Sequence, residues 1–210
     1  MSALEITKQV LSDFSSRTEK ERPFIVALDG LSGAGKTTIA EEAGKELTRF
    51  DCKPLIIYID NYIEAREKRY DTGRKEWEEY YYLQWDTEKL VRDLFKPLYG
   101  GEQLIKLDFY DAPADSHKRQ ELNVSPNQIV LVEGIFLQRE EWKHYFDFTV
   151  FIDCPRELRY QRVLERDSYI GNLQARLDKY ENRYWRGEIH YLETEKPMDN
   201  ADLVYRTEVN

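Results

Sequence analysis

The sequence Gly30-Leu31-Ser32-Gly33-Ala34-Gly35-Lys36-Thr37 matches the phosphate-binding pattern GxxxxGK[ST]. Its glycines let the backbone curl so that successive N–H groups point at phosphate oxygens. Lys36 would reach the terminal phosphates, and the Thr37 hydroxyl would bind the Mg²⁺ that accompanies a nucleotide. The motif requires a strand before it and a helix after it, and residues 24–28 and 38–43 fit these two elements. We therefore predict a nucleotide-binding loop rather than a chance glycine-rich turn.

Further stretches have the patterns of strands and helices. Residues 55–59 form a continuous apolar run, typical of a strand buried on both faces of a sheet. Residues 129–134 and 148–153 also predict buried strands, and residues 201–205 predict a closing strand. Amphipathic helices are predicted near the start of the chain and after the loop. Alternation of strands with helices predicts an α/β fold with a mostly parallel central sheet and helices on both faces.

Composition limits the class of protein. A chain of 210 residues suits one domain, and we predict a single domain over residues 1–210. The net charge of −9 argues against a nucleic-acid binder or a protein of anionic membranes. No apolar run is long enough to span a bilayer, and the amino terminus is unlike a signal peptide. Cys52 and Cys154 lack metal-ligand spacing, so we expect a reduced, cytoplasmic setting.

Acidic residues end three of the predicted strands. Asp60, Glu133 and Asp153 stand at carboxyl ends, outside which open α/β sheets bind their ligands. Asp60 would suit catalysis, although a helix N-cap is the alternative. Glu133 and Asp153 both fit an acid beside the metal, and we choose Glu133, because Gly134 permits a close backbone approach near the loop. Asp153 would then cap the helix that begins at Pro155.

The helix predicted after Pro155 carries arginines on one face. Arg159, Arg162 and Arg166 are spaced three and four residues apart. A stripe of this kind is usually a solvated surface. Beside a nucleotide site it would instead form a lid that neutralises charge on the transferred phosphate.

The region between the second and third predicted strands is mixed. Residues 64–86 are dense in charges and aromatic rings, which is typical either of a solvated helical hairpin or of a wall over a second substrate. Asp86 predicts the N-cap of the next helix. Residues 105–111 alternate like a short strand, and residues 112–119 predict a polar loop that carries His117.

Together these features predict phosphoryl transfer, which requires positioning and charge neutralisation more than covalent help from protein. The loop would hold the donor phosphates, a second acid would accept the proton of an attacking hydroxyl, and arginines would close over the top. We predict an ATP-dependent kinase of a small hydroxylated molecule, with ATP and Mg²⁺ as cofactors and Thr37 and Glu133 at the metal. The predicted nucleotide-binding residues are Gly30, Ser32, Gly33, Ala34, Gly35, Lys36, Thr37, Thr38 and Arg159, and the predicted catalytic residues are Asp60, Lys36, Arg162 and Arg166.

Several stretches occur in an order that one family shares: residues 30–38, Asp60-Asn61-Tyr62, Tyr110-Asp111 with Ser116-His117-Lys118-Arg119, Val132-Glu133-Gly134-Ile135, and residues 162–167. This set resembles the uridine kinase group of P-loop kinases, which is related to phosphoribulokinase and bacterial pantothenate kinase. The resemblance covers residues 24 to 205. It implies a three-layer P-loop NTPase fold with an arginine-bearing lid at about residues 156–190 and an acceptor-covering segment at about residues 62–119.

The resemblance also implies roles for individual residues. Asp60 would take the proton from the 5′-hydroxyl of uridine or cytidine, and Glu133 would lie beside Mg²⁺. Arg162 and Arg166 would contact the phosphates. On the substrate side it implies pyrimidine contacts from Tyr110 and His117, where we also place Tyr62 and Gln84.

The chain departs from the family on the acceptor side. Where nucleoside kinases of this group carry an aspartate for the ribose hydroxyls, this chain has Leu83-Gln84-Trp85-Asp86, and the stretch between Tyr110 and His117 is longer. The alternatives are a kinase of another small alcohol, such as a vitamin precursor or a sugar phosphate, and an ATP-binding regulatory protein without turnover. For a sugar phosphate, Arg66, Arg69 and Arg74 could supply extra cations. We expect a small-molecule substrate, no nucleic acid and no membrane partner, and homo-oligomer formation stays open.

Overall fold

A parallel sheet forms the centre of the computed structural model, which describes residues 3–18 and 21–207. Its strands are β1 (Phe24–Gly30), β2 (Leu55–Tyr58), β5 (Ile129–Gly134), β6 (Phe148–Asp153) and β7 (Leu203–Arg206). They lie in the order β2-β5-β1-β6-β7, and every pair is parallel. Strands β3 (Leu104–Asp111) and β4 (Ser116–Asn123) form a separate antiparallel hairpin. The predicted α/β fold is confirmed.

Alternate residues of the central strands face two different apolar layers, because successive side chains of a strand point to opposite faces. Val26 and Leu28 pack with residues of the first two helices, whereas Ile25 and Ala27 pack with the aromatic residues of the later helices, Tyr80 among them. The sheet is therefore covered on both faces, as a parallel sheet requires.

Helices connect the strands and cover both faces. The α-helices are α1 (Ala3–Ser16), α2 (Lys36–Arg49), α3 (Arg66–Arg69), α4 (Glu76–Leu83), α5 (Thr87–Leu90), α6 (Lys96–Tyr99), α7 (Arg156–Arg166), α8 (Leu173–Lys179), α9 (Trp185–Glu195) and α10 (Pro197–Asn200). One π-helical turn, Val91–Phe95, joins α5 to α6, and another, Tyr180–Tyr184, joins α8 to α9. In the part of the chain that the structure describes, no helix has the length and apolarity to cross a bilayer.

Three local predictions were wrong. Of the stretch expected as a polar loop at 112–119, only residues 112–115 form a turn; residues 116–119, with His117, belong to strand β4, which pairs with β3 over its whole length. Strand β2 lies at the edge of the sheet and is only partly buried, rather than buried on both faces. Asp153 does not cap the following helix: the N-cap is Pro155, and the Asp153 carboxylate lies 3.7 Å from the Arg206 guanidinium. The Asp86 N-cap is confirmed, because its side chain accepts a hydrogen bond from the Lys89 N–H.

The predicted single domain of residues 1–210 includes residues 1–2, 19–20 and 208–210, which lie outside the described residues. Within the described part, the predicted lid begins with α7, and the predicted acceptor-covering segment contains α3 to α6 and most of the β3–β4 hairpin.

Candidate active site

The phosphate loop connects β1 to the first turn of α2. Gly33 and Gly35 have φ values of 77° and 92°, which favour glycine. A Cβ on Gly33 would also lie 2.7 Å from the carbonyl oxygen of Arg159, so the loop and α7 approach each other as only glycine permits. Helix α2 begins at Lys36, so its free N–H groups point into the loop.

A cavity of about 330 Å³ lies in front of this loop. Its lining is cationic and hydroxylic, which suits a chain of phosphates. Lys36 is half-buried, and its ammonium donates to the Leu31 carbonyl at 3.2 Å. The residues that line the cavity are Gly33, Gly35, Lys36, Thr37, Thr38, Arg162 and Arg166.

Asp60 lies in a 3₁₀ turn, Ile59–Tyr62, directly after β2. Solvent reaches its side chain, yet the surrounding protein displaces much of its hydration, and this desolvation raises the pKa of the carboxyl. The positive charges of Lys36, Arg166 and Arg69 oppose that rise. A carboxylate with a raised pKa and nearby cations is suited to accept a proton.

Glu133 is a buried carboxylate near the end of β5. The Thr37 hydroxyl donates to its Oε2 at 3.4 Å. Desolvation raises the pKa of Glu133, and the charge of Asp60 raises it further, while Lys36 and Thr37 lower it. Because the charge of Asp60 disfavours ionisation of Glu133, a cation bound nearby would stabilise the ionised form of Glu133.

Magnesium fits this pair of oxygen donors. Mg²⁺ is usually held by one or two carboxylates together with substrate phosphates rather than by an all-protein cage. Thr37 and Glu133 are therefore the residues that would hold the ion.

Gly134 sets the approach of the two acidic strand ends. A Cβ at this position would lie 2.1 Å from Cγ2 of Ile59, the residue before Asp60. The close approach expected from the sequence therefore exists, but it is made by the first residue of the 3₁₀ turn after β2 and not by the phosphate loop. Glycine at 134 is what lets the Asp60 turn pack beside Glu133.

The three arginines of α7 that the sequence placed on one face, Arg159, Arg162 and Arg166, divide into two groups. Arg162 and Arg166 are exposed and line the cavity, and Arg166 forms two hydrogen bonds with Asp167, at 2.7 and 3.1 Å. Arg159 is buried, and it donates to the Ser32 and Cys154 carbonyls and to Glu188. Arg159 does not line the cavity, and its guanidinium is bonded to these protein groups, so its nucleotide contact stays a prediction.

On the acceptor side, Tyr110 and His117 face each other across the β3–β4 hairpin, with ring centroids 5.7 Å apart. The Tyr110 hydroxyl donates to Asp115 at 2.7 Å and accepts from Arg69 at 2.9 Å. The His117 Nε2 lies 2.9 Å from the Ile63 carbonyl oxygen. The structure therefore brings these two predicted residues together.

Tyr62 and Gln84 occupy different settings. Tyr62 is buried, which raises its pKa to about 12, so its hydroxyl stays protonated. The Gln84 side-chain oxygen lies 3.5 Å from Nη2 of Arg183, a fully buried residue that pairs with Glu79 at 3.0 Å. The Gln84 oxygen is therefore engaged by another protein group. As a neutral amide, Gln84 also offers fewer acceptor sites than the carboxylate of an aspartate would.

Known proteins share this fold and its motifs. A sequence model described as the AAA domain matches residues 26–183, so the chain carries that P-loop domain. The uridine kinase of Lactobacillus johnsonii is 30% identical over 183 residues, which cover 87% of this chain and 81% of that protein. The solved structure of a possible uridine kinase from Bacillus stearothermophilus has a TM-score of 0.80 and 35% identity, and the match covers 97% of both chains. The chain belongs to the uridine kinase-like P-loop kinases.

In this uridine kinase-like chain, buried charged residues beside the site were not predicted by any motif. Asp29 is completely buried immediately before the loop, and Glu188 and Arg183 are almost completely buried in the carboxyl-terminal third. The only sequence signal for Asp29 is an acid in an otherwise apolar strand. Glu188 and Arg183 carry no sequence signal of burial, because their partners are distant in the sequence. Glu188 bonds with Ser32 and Arg159, and Arg183 bonds with Glu79 and Gln84.

Proposed function

We propose that this P-loop kinase transfers the γ-phosphoryl group of ATP to the 5′-hydroxyl of uridine or cytidine. The observation that carries the proposal is the convergence of Asp60, Glu133, Lys36 and Arg166 at the carboxyl ends of β2 and β5. Lys36 lowers the pKa of both carboxyls, and Arg166 lowers that of Asp60. The uridine kinases that the chain resembles support the nucleoside as acceptor.

The residues divide the reaction between them. Asp60 accepts the proton of the attacking hydroxyl as its oxygen bonds to the γ-phosphorus, and the bond to the β-phosphate bridging oxygen breaks to release ADP. Lys36, Arg162 and Arg166 neutralise charge on the transferred group and its leaving phosphates. Bound Mg²⁺, held through Thr37 and Glu133, would supply further charge neutralisation on the β- and γ-phosphate oxygens.

A coupled ADP-release assay over a panel of nucleosides and small alcohols tests the acceptor. We expect uridine and cytidine to have the highest kcat/KM, and purine nucleosides to fall at least about tenfold lower, since buried polar contacts discriminate strongly. Product identity is checked by mass, as a gain of one phosphate on the nucleoside. Turnover of a non-nucleoside alcohol, with none of any pyrimidine nucleoside, would contradict the proposal.

A second acceptor class has one observation in its favour. Of the three arginines that could serve an anionic acceptor, Arg69 is buried next to Tyr110 and close enough to lower the pKa of Asp60. Arg66 and Arg74 are both exposed to solvent. A phosphorylated or carboxylated alcohol would use the charge of Arg69, so such alcohols belong in the panel.

Replacing Glu133 with glutamine should raise the Mg²⁺ concentration for half-maximal activity by about tenfold or more, because loss of even an outer-shell partner of a metal typically weakens its binding by about 10- to 100-fold. The measurement is a Mg²⁺ titration at saturating ATP. Asp153→Asn is the matched control, since Asp153 also ends a strand but pairs with Arg206. An unchanged Glu133→Gln titration, or an equal shift in the control, would remove Glu133 from the metal site.

A further inference from the structure

Helix α9 directs two polar side chains at the phosphate loop from behind. Glu188 and Tyr191 are three residues apart and share one face of the helix. Glu188 is 2% exposed and Tyr191 is 0% exposed. Neither residue lines the cavity in front of the loop, so both act on the loop from its protein side.

Glu188 holds the outer part of the loop at Ser32. The Ser32 N–H donates to one carboxylate oxygen at 2.9 Å, and Arg159 donates to the other oxygen at 2.9 Å. The same Arg159 nitrogen donates to the Ser32 carbonyl at 3.1 Å. Both backbone polar groups of Ser32 are therefore fixed by one buried ion pair, and the Ser32 N–H predicted to face phosphate is turned to Glu188.

Tyr191 holds the start of the loop through Asp29. Its hydroxyl donates to Oδ2 of Asp29, and the Gln138 side-chain amide donates to the same oxygen at 3.0 Å. The other oxygen, Oδ1, accepts from the Gly30 N–H at 2.8 Å. A fully buried carboxylate is costly unless donors surround it, so these bonds fix the residue that precedes the first glycine of the loop.

The two contacts are expected to affect phosphate binding because they fix the backbone of the loop. Its affinity comes from several backbone N–H groups that must point at the same small volume. A displacement of about 1 Å in a positioned group can cost about 10²-fold in rate. The anchored residues Asp29 and Ser32 lie on either side of Gly30, where strand β1 ends and the loop begins.

We propose that Glu188 and Tyr191 are positioning residues that hold the phosphate loop in the geometry that binds a nucleotide's phosphates. The inference rests on the proposed function only in taking ATP as the nucleotide, and it needs no assumption about the acceptor. Helix α9, whose first part (residues 185–190) falls in the range predicted as lid, supports the loop instead of covering it.

The test is the Kd for ATP of Glu188→Gln and Tyr191→Phe, measured by isothermal titration calorimetry without an acceptor. Glutamine keeps the size of Glu188 and an oxygen for Ser32, but it loses the charge that pairs with Arg159. We expect the Kd to rise about tenfold for Glu188→Gln, which is about 1.4 kcal/mol. For Tyr191→Phe, which removes one hydroxyl, we expect about three- to fivefold. In steady state, the KM for ATP should rise with the Kd while the KM for the acceptor stays unchanged.

Two control variants separate positioning from general destabilisation. Glu79→Gln breaks the equally buried pair with Arg183, at 3.0 Å, away from the loop. Tyr81→Phe removes a hydroxyl that donates to Glu195, also on α9, at 3.2 Å. Both should keep the wild-type Kd for ATP, whatever their melting temperatures.

The outcomes test the role of α9 separately from the identity of the acceptor. The inference is overturned if folded Glu188→Gln and Tyr191→Phe bind ATP like the wild type, or if the controls lose as much affinity. If Glu188→Gln does not fold by circular dichroism, Tyr191→Phe decides. A wild type that binds ATP but phosphorylates no nucleoside would refute the proposed acceptor, and these affinities would still test the role of α9.

Discussion

Replacing Asp60 with asparagine should lower kcat by about 10³-fold while leaving the Kd for ATP within about twofold of the wild type. Asparagine has the shape of aspartate but cannot accept the proton of the attacking hydroxyl. The phosphates are held elsewhere, by the loop and by Lys36. Single-turnover kinetics at saturating ATP and acceptor measures the chemical step, and calorimetry measures the binding.

The pH dependence follows from the same carboxyl. Desolvation raises the pKa of Asp60, and Lys36, Arg166 and Arg69 oppose the rise. A protonated Asp60 cannot act as the base, so wild-type kcat/KM should fall as the pH is lowered through this raised pKa. The asparagine variant should lack that acid limb in whatever activity remains.

Asp71→Asn is the matched control for Asp60→Asn, because Asp71 is an exposed aspartate whose φ of 56° asparagine tolerates. It should keep wild-type kinetics. Undiminished transfer by Asp60→Asn would show that another group is the base. A wild type that binds ATP and transfers phosphate to no acceptor in the panel would identify a regulatory ATP-binding protein instead.

Replacing Lys36 with alanine should lower kcat/KM for ATP by about 10²- to 10³-fold, the usual loss when one charge that stabilises the transition state is removed. Lys36 also lowers the pKa of Asp29, Asp60 and Glu133, because its positive charge favours their ionised forms. Its removal should therefore also move the acid limb of kcat/KM to higher pH. Affinity for ADP should fall less than affinity for ATP, because the lysine serves the terminal phosphates.

Lys45→Ala provides the comparison for Lys36→Ala. Lys45 is an exposed lysine on the same helix, α2, and its removal costs the protein the same formal charge. It should leave kcat/KM for ATP unchanged within about twofold, as distant surface charges are screened by salt. If Lys36→Ala behaves like Lys45→Ala, the lysine of the loop has no part in the reaction.

The sequence predicted the parts of the fold whose signals are local. The apolar runs of β5 and β6 and the glycines before α2 each carry their own signature. Strand β4 was missed because its residues are polar and mostly exposed, so no alternation marks it. It is held by pairing with β3, and such pairing is a tertiary property that β-propensity does not capture.

The candidate site shows the same division. The positions of Lys36, Thr37, Asp60 and Glu133 in the loop and at the strand ends could be predicted, because these residues follow a motif or a hydrophobic strand. Arg159 has the right spacing for a phosphate contact, but spacing alone does not distinguish the face toward the cavity from the face toward the loop. Its partner, Glu188, is 29 residues away, and only the fold places the two together.

The missing side chain of Gly134 links two positions that are far apart in the sequence. Ile59 occupies the space where a Cβ of residue 134 would stand. Any larger residue at 134 would therefore have to be accompanied by a smaller one at 59, or the turn with Asp60 would be pushed away from Glu133. Related sequences that keep both acids should change these two positions together or not at all, and an engineer who redesigns the acceptor side should treat them as one unit.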